Sequence, residues 1–441
     1  MDKHQAGTLS PEIVAAAVRR FGSPLYVYDE RLLRAKCQGV LGMPNAFGLH
    51  ARFAMKANSS RALLELVVST GMGIDASSLN EARRALQAGV AADRILLTTQ
   101  DIPEGADRED LEKLIAAGMI YNACSIRQLE LIADFAAKNK VPLAMRVNPG
   151  VGAGESVTRN TGDKYSSFGI HLANLEQATA FARERRIVIA QVHCHIGSGG
   201  DPELWRSNID RVLELTTRFF PQATVVNLGG GFKEARMPDE TAANIQELGR
   251  YAQQRFREVA ERTGRRLQMG VEPGTFIVAN CGHLIATVID KKWSGPDGFE
   301  FLVLDAGMES NTRPLLYGSR HPFYVVSKES KLLSSEFDPA VAALQERVVV
   351  GRCCESGDSQ TLDDHGKIAP RRMADPGLGD HVVIGGAGAY CASMSLTGYN
   401  SYRQAPEVLW REDGTLQLIR RRQTLEQLTQ NEIGLTAAAV S

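Results

Sequence analysis

Eight short apolar runs, each followed by a helix-like stretch or a long connection, fill the chain between Arg52 and Thr275. They read RFAMKA from Arg52, GMGIDASS from Gly71, RILLTTQ from Arg94, MIYNACS from Met119, PLAMRVNP from Pro142, IVIAQVHCHIG from Ile187, TVVNLGGG from Thr224 and QMGVEPGT from Gln268. Between them lie stretches such as NEARRALQAG, REDLEKLIAAG, IRQLELIADFAAKNK and ELGRYAQQRFREVAERTG, whose apolar residues recur at three and four, the period of an amphipathic helix. Strand and helix alternating in this way demand a parallel sheet, and eight such units predict a closed (β/α)8 barrel of the TIM type. An open doubly wound sheet is the other architecture that the alternation permits.

After about Ile285 the texture changes to short strands without intervening helices: LIATVIDKKW, EFLVLDAG, RVVVGRCC, DHVVIGGAG and EVLWREDGTLQLIRRR. Asp413-Gly414, between two alternating runs, is a strong hairpin signal. The early run PLYVYD, residues 24–29, reads as a further strand of this β domain. The expected organisation is therefore α/β plus all-β. Residues 1–45 join the β domain, 46–284 form the barrel, and 285–441 form a C-terminal β-sandwich or barrel that also takes up the N-terminal strand.

Composition narrows the function classes. With 44% hydrophobic residues the 441-residue chain can bury a large core, and a formal charge of -1 offers no basic field for a nucleic acid or an anionic membrane surface. The basic triplet Arg420 to Arg422 reads as a solvated strand edge. Seven cysteines without metal-type spacing point to reduced thiols in the cytoplasm and to no metal site. The start lacks an apolar export signal, and no apolar run approaches the roughly 18 residues of a membrane span.

The residues that suggest chemistry fall at the C-terminal ends of the predicted barrel strands: Lys56, Asp75, Arg146, His195, Gly229, Gly230, Gly231 and Glu272. That rim carries the active site in barrels of this kind. Each residue also has a plainer reading. Lys56 can snorkel to solvent from a strand end; His193, Cys194 and His195 can be structural or touch a metal; Glu272 can be a turn residue; the glycines can merely relieve crowding. Together they match one cofactor, pyridoxal phosphate. An amine held between apolar neighbours, partly desolvated, attaches the aldehyde; three glycines with successive open N–H groups, plus Ser198, hold the phosphate; an imidazole covers the ring; a carboxylate keeps the ring nitrogen protonated.

The segments FAMKAN, HCHIGSG, NLGGGF, EPG, CCESGD and GAGAYCASMSLTGYNS occur in this order. In them the chain resembles the fold-type III pyridoxal-phosphate decarboxylases over roughly residues 22–430. Within that family it is most similar to the branch that converts meso-2,6-diaminopimelate to L-lysine and carbon dioxide. The resemblance implies that Lys56 carries the cofactor, His195 stacks on it, Glu272 pairs with the ring nitrogen, and Asp75, Ser198, Gly229 to Gly231 and Tyr390 are further cofactor contacts. It also implies that Cys354 is the proton donor to the substrate carbon. Arg313, Tyr317, Glu355, Asp358 and Tyr390 become substrate ligands, with Arg313 and Tyr317 at the distal carboxylate. Cys354 and Glu355 enter the site from the other subunit, so the resemblance implies an obligate homodimer.

Two positions depart from the family pattern. Thr275 stands where an arginine usually follows Glu-Pro-Gly, and Ser167 where a basic residue usually precedes Phe-Gly. Thr275 keeps open an alternative substrate, a related diamino acid such as ornithine or lysine, or a D-amino acid. A silent cofactor-binding protein is a third class, disfavoured because such proteins are barrel-only.

Overall fold

The computed structural model describes residues 8–150, 165–338 and 343–435. Residues 1–7, the beginning of the segment read above as free of an export signal, lie outside the described residues. The chain divides into two compact units: Leu32–Ala235 with Glu240–Val278, and the chain up to Arg31 with Arg236–Asp239 and everything from Ala279.

The first unit is the barrel. Its eight strands are Leu49–Ala54, Gly73–Ala76, Ile95–Leu97, Ile120–Ala123, Leu143–Asn148, Ile189–His193, Val225–Asn227 and Gln268–Val271. Each pairs in parallel with the next, and the eighth closes on the first through Met269 opposite Leu49. Closure rules out the open doubly wound sheet. Seven of the eight predicted runs contain one of these strands; the first, from Arg52, overlaps only the last three residues of Leu49–Ala54. A short extra strand, Ile170–His171, adds to the fifth.

Local chemistry explains why the helices stop and start where they do. Ser78 and Ser125 cap the helices Leu79–Gln87 and Ile126–Asn139, each accepting the N–H three residues on. Helix Ile126–Asn139 buries Leu129, Ile132, Ala133 and Ala136 at the three-and-four spacing read from the sequence. Full burial of Leu129 and Ile132 stabilises by about 1.5–3 kcal/mol apiece. Gly264, at φ +73°, ends the helix Ile245–Thr263.

The second unit is built on one large sheet. Leu25–Asp29, the predicted N-terminal strand, lies between Gly282–Trp293, to which it is antiparallel, and Glu407–Trp410, to which it is parallel. Both ends of the chain thus meet in one sheet. Val14 and Ala17 of the helix Pro11–Phe21 join Leu25, Val27, Ile285, Tyr324 and Val408 in its core. The hairpin is present: Gly414 sits at φ +84° between Glu407–Trp410 and Leu416–Arg420. The basic triplet is only partly a solvated edge. Arg420 pairs with Glu407 across the hairpin, and Arg422 donates to the carbonyls of Gly22, Ser23 and Pro24 at 2.9–3.2 Å. Among the described residues none of the seven cysteines is disulfide-bonded, and no helix is long and apolar enough to cross a membrane.

Candidate active site

The first barrel strand ends at Ala54, two residues short of the lysine, and Lys56 sits in a 3-10 turn, Met55–Ala57. Met55 and Ala57 are buried while Lys56 is exposed at the strand-end rim, so the expectation of a partly desolvated amine is corrected: the turn buries its neighbours and presents the amine. The Ala54 N–H donates to the carbonyl of Pro273 at 3.1 Å, and a side chain at Gly274 would press on Ala54 and Ala57 at 3.2–3.3 Å. Gly274 therefore lets the turn after the eighth strand, which carries Glu272, lie against the turn that carries Lys56.

Glu272 is buried and held on both oxygens. Asn227 donates to Oε1 at 2.5 Å, and His193 Nε2 lies 3.1 Å from Oε2. Burial opposes its ionisation, but His193, His195 and the Asn227 amide prevail and bring its pKa down to about 2. Asp75, equally buried, behaves in the opposite way: burial and then the charge of Glu272 push its carboxyl well up, against Lys56 and Arg146. Of these two coupled carboxyls, Glu272 is the ionised one. Arg146 is buried too, its guanidinium 4.8 Å from the centre of the Phe168 ring.

His195 follows the sixth strand. Its Nδ1 accepts the N–H of Gly230 at 3.0 Å, which places the proton of the neutral ring on Nε2. Burial, then Arg146 and Lys56, hold its pKa well below the ordinary range, so the ring is uncharged. The glycine triplet was expected to leave three N–H groups open. Two are in use, Gly229 donating to Asn227 Oδ1 at 2.9 Å and Gly230 to His195; among the described residues only that of Gly231 has no partner. The triplet is enforced by backbone crowding: a Cβ at Gly230 would stand 2.0 Å from the carbonyl oxygen of Glu272, and one at Gly231 2.0 Å from that of Gly197. Exposed Ser198 lies on the adjoining loop, whose Gly199 N–H donates to the Gly231 carbonyl at 3.3 Å.

The β unit arranges its candidates in two groups. Buried Arg313 opens the short helix Arg313–Tyr317, with its guanidinium 5.5 Å from the Tyr317 ring centre and 5.9 Å from that of Tyr390. Tyr390 takes φ +58°, a left-handed conformation rare for an aromatic residue. Cys354 and Glu355 are exposed. The Cys354 N–H donates to Asn400 Oδ1 at 2.7 Å, and the Tyr399 hydroxyl donates to Glu355 at 2.9 Å. That bond, with help from the Gly357 N–H and Ser356, holds the Glu355 carboxyl below its ordinary pKa. Asp358 does not fit its expected part as a substrate ligand. It is buried, and its oxygens accept the N–H groups of Met308 at 2.6 Å and Cys353 at 2.7 Å, which makes it a brace under the Cys354 loop. Its neighbour Cys353 is buried, its thiol pushed up by burial and by Glu309 and Asp358, so it keeps its proton at neutral pH.

Sequence reasoning passed over Asn227 and gave His193 no part beyond structure or a metal. Both are polar residues closing otherwise apolar strands, the same signal that marked Glu272.

A cofactor with an aldehyde, a basic ring nitrogen and a phosphate fits this rim. The amine of Lys56 is exposed, Glu272 is ionised before anything binds, His195 is a neutral ring, and Asp75 Oδ1 is buried without a hydrogen-bond partner. Residues 38–279 match the model of the pyridoxal binding domain of pyridoxal-dependent decarboxylases. The chain is 32% identical to a diaminopimelate decarboxylase of Escherichia coli, over 96% of this chain and 97% of that protein. It is 32% identical to one of Streptomyces coelicolor, over 97% and 93%. Among solved structures it is similar to a diaminopimelate decarboxylase at 31% identity and TM-score 0.85, covering 95% of this chain and 96% of the other. The Helicobacter pylori enzyme complexed with L-lysine matches at 25% and 0.78, over 94% and 98%. A barrel rim built for pyridoxal phosphate, matched by relatives over nearly its whole length, makes this chain a member of the pyridoxal-dependent decarboxylase family.

Proposed function

We propose that the protein decarboxylates meso-2,6-diaminopimelate to L-lysine and carbon dioxide with pyridoxal phosphate, as a cytoplasmic homodimer. The observation that carries this reading is an exposed Lys56 on the same rim as a Glu272 held ionised in a buried setting. The names of the relatives support the substrate. When bound, the cofactor supplies a sink for the electron pair left on the α-carbon as carbon dioxide departs.

The chain's own groups do the rest. Lys56 would hold the cofactor through its aldehyde. Glu272 keeps a proton on the ring nitrogen, which makes the ring a better acceptor of charge. His195, flat and uncharged, covers the ring without competing for that proton. Ser198 and the Gly231 N–H contribute to a phosphate cradle. Arg313 and Tyr317 bind the distal carboxylate, and Glu355 takes the distal amine. The exposed thiol of Cys354 returns a proton to the α-carbon, serving the barrel of the other subunit.

The test is carbon dioxide release across the three diaminopimelate stereoisomers, L-lysine and L-ornithine, with the amine product identified. Turnover of the meso isomer to L-lysine is the expected result. Preference for ornithine or lysine would instead favour a diamino acid decarboxylase lacking a distal-carboxylate site, the alternative that Thr275 raises.

A further inference from the structure

Three consecutive barrel strands end in groups that converge on one carboxylate. His193 closes the sixth strand, Asn227 the seventh, and Glu272 follows the eighth. His193 and Asn227 are register partners, and Asn227 is opposite Gly270. A Cβ at Gly270 would sit 3.0 Å from the Asn227 side chain, so the missing side chain there is the space in which Asn227 lies. Asn227 is fixed from both ends, its Oδ1 accepting the Gly229 N–H at 2.9 Å and its Nδ2 donating to Glu272 Oε1 at 2.5 Å. His193 Nε2 stands 3.1 Å from the other oxygen, a close charge contact rather than an aligned hydrogen bond, and among the described residues neither nitrogen of this buried ring has a hydrogen-bond partner.

A buried histidine whose nitrogens faced only apolar groups would carry a desolvation cost that an apolar residue of similar size avoids. Its approach to Glu272 gives the imidazole a reason to be there. We propose that His193 and Asn227 clamp the two oxygens of Glu272, so that His193 is a positioning residue for the carboxylate that holds the cofactor's ring nitrogen. The inference rests on the functional reading above and assigns to this pair a role within it. The charged and titratable groups that also face Glu272 are Arg52, Asp75, Cys124 and His195, with Arg146 and Lys56 facing His193, so the clamp acts against a fixed background that single substitutions at 193 leave in place.

The experiment follows the visible absorbance of the bound cofactor against pH, together with kcat and KM, in wild type, His193→Leu, His193→Gln and Asn227→Asp. Loss of the His193 contact makes Glu272 easier to protonate, so the acid-side midpoint of the spectrum rises. In His193→Leu it is expected to move up by at least roughly half a pH unit, with kcat down about tenfold and KM within about twofold. His193→Gln, which keeps an N–H donor, should restore most of both. Asn227→Asp replaces a donor by a like charge with almost no change of shape and should move the midpoint the same way as His193→Leu. It also decides the matter if the leucine variant does not fold. An unmoved midpoint in a folded His193→Leu or in Asn227→Asp, or a glutamine variant no better than leucine, overturns the clamp. A wild-type protein without visible absorbance would instead remove the functional reading itself.

Discussion

The barrel unit presents Lys56 on its rim and buries the charged groups behind it, locked to one another, whereas the β unit displays Cys354 and Glu355 on a surface loop and buries what supports them. In the barrel, Asp75, His193, Asn227 and Glu272 are each at most 6% exposed, and hydrogen bonds or close charges link one strand end to the next. In the β unit Asp358 is buried and holds the loop by two backbone amides, beside the buried thiol of Cys353. The difference teaches where precision comes from. A carboxylate that must stay ionised in an apolar interior has to be placed by its neighbours. A thiol that gives a proton to an arriving substrate needs access, and its precision comes from the residues underneath.

This contrast is sharpest at Gly230. A methyl group there overlaps the Glu272 carbonyl, and no flexible side chain can yield. Gly230→Ala is expected to cost about 3 kcal/mol or more of stability, the upper end for overpacking, and to abolish cofactor retention. Thermal unfolding and cofactor titration check both. Arg313→Ala should do the reverse, lowering kcat/KM for meso-diaminopimelate about a hundredfold, roughly 3 kcal/mol, with the cofactor spectrum unchanged. A spectrum lost together with activity would erase the distinction between the units.

His283 tests the β core. It is buried in the strand Gly282–Trp293, with Nδ1 3.2 Å from the Tyr324 hydroxyl, and burial lowers its pKa to about 3. Because the folded value lies below the ordinary one near 6.5, the unfolded chain takes up the proton first. Its contribution to stability is complete above about pH 6.5 and is lost as pH falls toward 3. Between pH 7 and pH 5 that loss amounts to about 2 kcal/mol. Denaturant titrations of wild type and His283→Gln at the two pH values should show the wild type losing its advantage by about that amount; a constant difference would contradict it. The smallest effect is expected at the loop brace. Asp358→Asn keeps the shape but weakens two bonds to backbone amides, costing about 1–2 kcal/mol and reducing kcat more than KM.

The sequence made the barrel readable because parallel strands buried on both faces are continuous apolar runs, and helices of three-and-four spacing separate them. It was less informative in the β unit, where Phe323–Val326, Leu332–Ser335 and Arg371–Met373 are strands of three or four residues with no helix between to mark them. Lys56, Glu272 and the glycines stood out because their residue types are unusual at strand ends. The pairing of His193 with Glu272 did not, since it depends on which faces of two strands meet across the barrel. Asp358 was misread for a related reason: its motif looks like chemistry, and only its burial shows that backbone amides occupy it.

The claim that most depends on all of this is that the barrel rim holds pyridoxal phosphate through Lys56. Borohydride treatment of the purified protein, followed by peptide mass analysis, tests it directly. The account predicts that the cofactor is fixed to the peptide containing Lys56 and that Lys56→Ala shows no fixation and loses turnover by at least about a thousandfold. Fixation at another lysine, or full activity in Lys56→Ala, would contradict it.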